Sequence, residues 1–430
     1  MKTPGSAQLI IDAHLLKPAS RTLVAAVLRV LPRWEYALAI TCFGIGCVYL
    51  FWLIFVTHNI FWDINVYVRA VNAIASGVSP YQGAYPYNTF RYPPLVADAF
   101  YTLRWLFLTP TGRALLFIVH VFSWLSIPYL LAGSPKNWFS RDWLYVWGLY
   151  LVLFGLGGMR LLVVGNVAAV LFALTILSLV LAVRSGNYKL FWVTILLCSF
   201  VKFYFIVFLL FPIILDKRYL STGFLIFALA ALYALNYLLN PPLFTEYIAA
   251  ITSGSADLGG AAGWSLFSLA ITILRALLGP NASLTFVLGL GLQLLFSATI
   301  LLFAYDIRGR RARPERFGLF CCWLFLSAFL ISPRIFDYDL AVAIVPLVLL
   351  TRMLLIERGL GMVVATTVAA SGTILLLADT SHFHATLSAW SGALIILGVW
   401  SGVAAHWLTS ARSDSKVAEI AMFGREPAKK

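Results

Sequence analysis

Residues 59–94 read NIFWDINVYVRAVNAIASGVSPYQGAYPYNTFRYPP and carry charge in a chain that is otherwise mostly apolar. The stretch is polar, aromatic and punctuated by Pro and Gly, and it follows directly on an apolar run over 37–57. At about 1.5 Å of rise per residue, a helix over that run is long enough for the ~30 Å hydrocarbon core of a bilayer. Asp63, Arg69 and Arg91 therefore lie beside a membrane surface, where a charge must be solvated, paired or in use.

Similar apolar runs recur along all 430 residues; 61% of the chain is hydrophobic, 11% is charged and the mean hydropathy is +0.90. This pattern predicts an all-α polytopic membrane protein and excludes an ordinary soluble enzyme. A membrane β-barrel would show short alternating segments instead. The five cysteines, Cys42, Cys47, Cys198, Cys321 and Cys322, fall inside apolar runs and read as small core residues. The net charge of +14 is assigned to basic cytoplasmic loops, with no nucleic-acid partner expected. No Walker sequence, Rossmann fingerprint or other phosphate-cradling glycine motif is present.

Twelve membrane helices are expected, near 37–57, 113–132, 142–157, 163–183, 189–201, 203–215, 219–239, 283–305, 316–332, 339–355, 360–378 and 386–408. Residues 1–36 form a basic cytoplasmic arm and 409–430 a basic cytoplasmic tail. Residues 58–112 are a long first outer loop with an interfacial helix over 95–110, and 240–282 are a second outer loop with an interfacial helix over 262–278; within it, 240–262 reads as a loop whose stretch TSGSADLGGAAG looks flexible. This arrangement puts 23 of the 31 Lys and Arg residues on the inside. The segments 189–201 and 203–215 are flanked by basic residues at both outer ends, so they are expected to form a short hairpin with Lys202 at its tip. A lysine at that depth has to face a polar cavity.

The arrangement gathers Asp63, Arg69, Arg91, Arg160, Asn166, Lys202, Arg334, Asp337 and Asp339 on the outer side from segments far apart in sequence. Asp63 opens a helical stretch in which Ile64, Tyr67, Ala70 and Val71 recur on one face; it reads as a general base, as the N-cap of that helix, or as a partner of Arg69. Tyr81, Tyr85, Tyr87 and Tyr92 can stack on a sugar or anchor the loop at the interface. Arg91 and Arg334 offer charge to a phosphate, Arg91 equally to a structural salt bridge, while Asp337 and Asp339 can bind sugar hydroxyls or a cation, or neutralise Arg334. Arg160 and Asn166 flank the start of the helix at 163–183, where Asn166 can hold a substrate hydroxyl or serve the helix terminus. Asp379, His382 and His384 form a weak metal pattern on an outer loop.

These residues resemble a known family. Asp63 and Tyr67, then Gly77-Val78-Ser79-Pro80-Tyr81, then Phe90-Arg91-Tyr92-Pro93-Pro94, are similar to the first-loop motif of the GT-C-fold glycosyltransferases that use polyprenyl-phosphate sugars, in particular the bacterial α-1,2-mannosyltransferase family. Gly165-Asn166 resembles the family's Gly-Gln, Lys202 its intramembrane lysine, and Ser332-Pro333 its late Ser-Pro motif. The chain departs from the pattern in carrying Asp337, Tyr338 and Asp339 where the family places histidines.

The resemblance implies a GT-C-like domain over 37–408 in a bacterial inner membrane. The enzyme would move a sugar, most readily mannose, from a polyprenyl-phosphate donor to a lipid or glycan acceptor on the outer face. Asp63 would be the base. Arg91, Lys202 and Arg334 would hold the donor phosphate, and Tyr67, Tyr81, Tyr92, Arg160, Asn166, Asp337 and Asp339 would line the sugar and acceptor sites. No cofactor is implied, and the chemistry does not require a divalent metal because phosphate already leaves readily. Membrane lipids are the other expected partners; the oligomeric state is left open. A transporter or flippase of a lipid-linked or anionic substrate is the rival class, and a non-catalytic envelope scaffold a third.

Overall fold

The structure is a computed structural model that describes residues 33–52, 55, 61–82, 90–132, 143–144, 146–151, 161–256, 265–279, 282–311, 317–332, 339–358 and 395–407. This part is 88% helical and contains no strand. Among the described residues four helices are long and apolar enough to cross a membrane, Pro110–Ala132, Ala168–Ser185, Tyr219–Leu239 and Leu284–Arg308. Of the other expected spans, Arg33–Phe51 is helical and several more appear as shorter apolar helices, while 360–378 lies outside the described residues.

In chain order the helices are α1 (Arg33–Phe51), α2 (Trp62–Ala75), α3 (Pro94–Thr102), α4 (Trp105–Leu108), α5 (Pro110–Ala132), α6 (Ala168–Ser185) and α7 (Lys189–Val201). A 3-10 segment (Phe203–Leu209) leads into α8 (Leu210–Asp216). Next come α9 (Tyr219–Leu239), α10 (Pro241–Ala256), α11 (Leu266–Leu278), α12 (Ala282–Arg311), α13 (Phe317–Ile331) and α14 (Leu340–Arg358), and last an apolar helix over Ile395–Trp407.

Burial sorts these helices by position. From Leu340 to Leu350, α14 is buried on every side, which is why its sequence is apolar without a polar face. It forms one core with α6, α7, the 3-10 segment, α13 and the Ile395–Trp407 helix. Trp323 and Trp400 stack there with ring centroids 5.1 Å apart, and the Trp323 indole N–H donates to the Trp400 carbonyl at 3.1 Å. By contrast, α9 exposes Leu220, Phe224, Phe227 and Leu238, and α12 exposes Val287, Leu294, Leu295 and Leu302. Ridges this apolar on helices of crossing length are matched to hydrocarbon as their solvent.

Residues 61–107 build a second, smaller core. On α2 the apolar positions Ile64, Tyr67, Ala70 and Val71 share one face, and they pack with Tyr81, Phe90, Tyr92, Val96 and Phe107. The Pro93-Pro94 pair sets an extended residue and then the first turn of α3. Tyr247 and Ala250 of α10 cover this core. The segment expected as a flexible loop over 240–262 is thus a helix as far as Ala256. Asn240 caps it, its side-chain oxygen accepting from Leu243 N at 3.1 Å, and Pro241 stands first in the helix.

The hairpin reading matches the observed path. Lys202 is extended (φ −136°, ψ 102°) and separates α7 from the 3-10 segment. At the other end the chain returns to its start: the Arg218 guanidinium lies 5.8 Å from the ring centroid of Tyr188, the residue just before α7.

Candidate functional site

Backbone geometry comes first. Phe61, not Asp63, is the N-cap of α2, and it adopts a left-handed conformation (φ 56°, ψ 39°) without a capping side chain. Its N–H donates to Val163 O at 2.6 Å, and the Asp63 N–H donates to Val164 O at 3.0 Å. These two bonds fasten the start of α2 to the segment that opens α6. Gly165 makes the approach possible: its φ is +64°, and a β-carbon there would stand 2.9 Å from Phe61 Cα. The Asp63 carboxyl is thereby held facing Asn166, in the first turn of α2 where the helix dipole favours negative charge.

The side chains then form a chain of polar contacts. Asn166 Nδ2 donates to Asp63 Oδ2. Asn166 Oδ1 accepts from Lys202 Nζ at 2.7 Å and from Ala168 N at 2.9 Å. The amide therefore does both things the sequence left open, serving the terminus of α6 and joining the polar cluster. It also hydrogen-bonds the Tyr92 hydroxyl. The Tyr92 and Tyr67 hydroxyls are 3.0 Å apart, Val167 N donates to Tyr67 Oη at 3.2 Å, and the Tyr81 hydroxyl donates to Tyr92 O at 2.7 Å. Lys202 Nζ also lies 5.6 Å from the Tyr204 ring centroid, and the Tyr204 hydroxyl donates to Asp339 Oδ1 at 3.1 Å. Asp339 is fully buried and, with Ser332, Tyr204, Phe172, Val207, Phe208, Ala328 and Phe329, borders a small cavity whose exposed lining is apolar.

Electrostatics follow from this packing. Burial, the Tyr92 hydroxyl and the Asp63 carboxyl hold the Tyr67 phenol well above the ordinary tyrosine range. Burial and Asp63 push Tyr92 the same way. Burial leads again for Tyr81, followed by Tyr247, Asp98 and Glu246. The tyrosines stay protonated and act as neutral donors around two carboxyl groups and one ammonium group.

Of the residues singled out in sequence, Asp63, Tyr67, Tyr92, Asn166, Lys202 and Asp339 converge, with Tyr81 bracing Tyr92 from behind. Arg91 is half-buried beside Tyr92 in the chain. Arg69 is exposed, and its Nε donates to Asn65 O on its own helix at 3.3 Å. Arg160, Arg334, Asp337, Asp379, His382 and His384 lie outside the described residues. Among the described residues, no three His, Cys, Asp or Glu side chains come together as a metal would need.

The sequence reading passed over Tyr204 and His120. His120 is buried in α5 with Nδ1 2.9 Å from Leu116 O and Nε2 3.2 Å from Asn166 O, so it supports the backbone of the Asn166 turn. A lone histidine inside the run ALLFIVHVFSW was its only signal. No protein-family model matches the chain, and no curated protein matches it.

Proposed function

We propose that the chain is a membrane glycosyltransferase that moves a sugar from a polyprenyl-phosphate carrier to a hydroxyl-bearing lipid or glycan on the outer side of the membrane. The observation that carries this reading is the Asp63–Asn166–Lys202 arrangement, in which one amide joins a carboxylate to an ammonium group. The three residues come from three segments and meet where the apolar bundle joins the first-loop core. The resemblance of the first-loop motif to the GT-C family supports the same reading, as does the basic character of the segments expected inside.

In this mechanism the Asp63 carboxylate takes the proton of the acceptor hydroxyl as its oxygen bonds to the anomeric carbon. The bond from that carbon to the phosphate oxygen breaks, the electron pair leaves with the polyprenyl phosphate, and the configuration inverts. Lys202 opposes the charge that grows on the departing phosphate. Asn166 orients both groups, and the buried tyrosine hydroxyls supply donors for sugar oxygens. General-base catalysis contributes about 10²–10⁴-fold, and positioning with charge stabilisation supplies the remainder.

Transport of a lipid-linked anion is the rival reading, and the helix break at Lys202 is the feature that favours it. One experiment separates the two. Purified protein in lipid is given radiolabelled polyprenyl-phosphate-mannose and a membrane-lipid extract, alongside Asp63→Asn. A labelled product from wild type that Asp63→Asn fails to make supports transfer. Normal turnover by the variant sinks the mechanism, and substrate movement across the bilayer without a product favours transport.

A further inference from the structure

The base of the Lys202 hairpin carries a second charged region that the transferase reading does not use. Its distance from the Asp63 cluster follows from the helix between them, since α7 spans 13 residues and rises about 20 Å. Lys217 ends α8 in a left-handed conformation (φ 54°), and its Nζ lies 5.7 Å from the ring centroid of Tyr305 on α12. Arg218 sits over Tyr188, as described above. Arg308 follows Tyr305 by three residues on the same helix. Its Nη1 is shut off from solvent and has no hydrogen-bond partner among the described residues.

A guanidinium donor withdrawn from water without an acceptor is costly, so Nη1 of Arg308 is a donor for which the described residues supply no oxygen. The nearby carboxylates are in use: Asp216 engages the Tyr188 hydroxyl, and Asp306 has an interaction of its own. Among the described residues the hairpin base carries three cations, Lys217, Arg218 and Arg308, against the two carboxylates Asp216 and Asp306. Directly beside it runs the apolar ridge of α9, where Leu220, Phe224 and Phe227 are 90%, 73% and 71% exposed, and Leu302 on α12 is also 73% exposed. Cations at one end of a lipid-facing ridge match the shape and charge of an anionic amphiphile.

We propose that this corner binds an anionic phospholipid. Its phosphate oxygens accept from Arg308, Lys217 and Arg218, and its acyl chains lie along Leu220, Phe224 and Phe227. The inference does not depend on the transferase reading, because it concerns the opposite end of the hairpin and its readout is lipid retention.

The test is native mass spectrometry of the full chain released from detergent, titrated with phosphatidylglycerol, phosphatidylcholine or inorganic phosphate. Wild type is expected to hold phosphatidylglycerol in preference to phosphatidylcholine. Arg308→Gln is expected to weaken that binding at least about tenfold, with partial recovery in Arg308→Lys. If Arg308→Gln does not fold, the double variant Lys217→Gln/Arg218→Gln carries the same expectation, because both of those residues are exposed. Equal retention of the two lipids overturns the proposal. So does unchanged phosphatidylglycerol affinity in the variants, or inorganic phosphate competing as well as the lipid does.

Discussion

Replacing Gly165 by Ala tests how Asp63 is positioned. Alanine at φ +64° is in the left-handed region, which costs about 1–2 kcal/mol for a residue with a β-carbon. The new methyl would also stand 2.9 Å from Phe61 Cα and 3.0 Å from Phe61 Cβ. A ring can turn aside, but Cα is backbone, so Phe61 has to withdraw. Withdrawal pulls on the Phe61 N–Val163 O and Asp63 N–Val164 O hydrogen bonds, each worth about 0.5–1.5 kcal/mol net. The expected destabilisation is about 1.5–3.5 kcal/mol when the strain and roughly one lost bond are combined. A displacement of Asp63 on the order of 1 Å is expected to lower turnover about a hundredfold. The assays are denaturant unfolding in detergent micelles, followed by tryptophan fluorescence, and sugar transfer in reconstituted lipid. A Gly165→Ala protein with wild-type stability and turnover would refute the claim that this glycine holds the carboxylate in place.

Asp63→Asn is expected to fold normally, because its amide oxygen can still accept from Asn166, while transfer falls by about 10²–10⁴-fold; the reconstituted assay reads this directly. Lys202→Met leaves Asn166 Oδ1 bonded to Ala168 N, so stability is expected to hold or rise, while kcat falls about 10–100-fold through loss of a charge-assisted contact to phosphate; a fall in stability with unchanged kcat would assign Lys202 a structural role only. Alkaline pH is expected to loosen the first-loop core before the bundle. Tyr67, Tyr81 and Tyr92 have raised values in the fold, so their contribution is intact below the ordinary tyrosine value of 10.0 and is lost as pH rises above it toward the folded values. Limited proteolysis within 58–112 across that range checks this, and cleavage that stays flat to about pH 12 would contradict it.

Much of the site was legible in the sequence because charge in an apolar chain is conspicuous. Asp63, Lys202 and Asp339 stand out against hydrocarbon neighbours, and the cost of burying each one demands a partner. The hairpin was legible for the same reason, since Arg184, Lys189, Lys217 and Arg218 mark both of its flanks. The helix over Pro241–Ala256 was obscured by its own composition: the small residues of TSGSADLGGAAG read as loop and outweighed the Asn240-Pro241 start signal. Tyr204 and His120 were hidden differently. An aromatic or a single histidine in an apolar run is ordinarily core, and only the path of the chain brings Tyr204 to Asp339 and His120 to the Asn166 carbonyl. The left-handed Phe61 was not readable at all, because a bulky residue gives no local signal for that conformation and here tertiary contacts impose it.

The amide at 166 joins a carboxylate and an ammonium group in one polar cluster: its nitrogen donates to Asp63 and its oxygen accepts from Lys202. A hydroxyl is too short to span them, and a carboxylate at this position would repel Asp63. Asn166→Ala removes the contacts to Asp63, Lys202 and Ala168 N together. The fold should hold, with the lost Ala168 N capping bond costing about 1 kcal/mol of stability. Turnover should nonetheless fall by an amount similar to that of Asp63→Asn, and combining Asn166→Ala with Asp63→Asn should cost far less than the product of the two single effects. The measurement is a double-variant cycle on kcat in reconstituted lipid. Fully multiplicative losses would show that the amide does not act through the carboxylate.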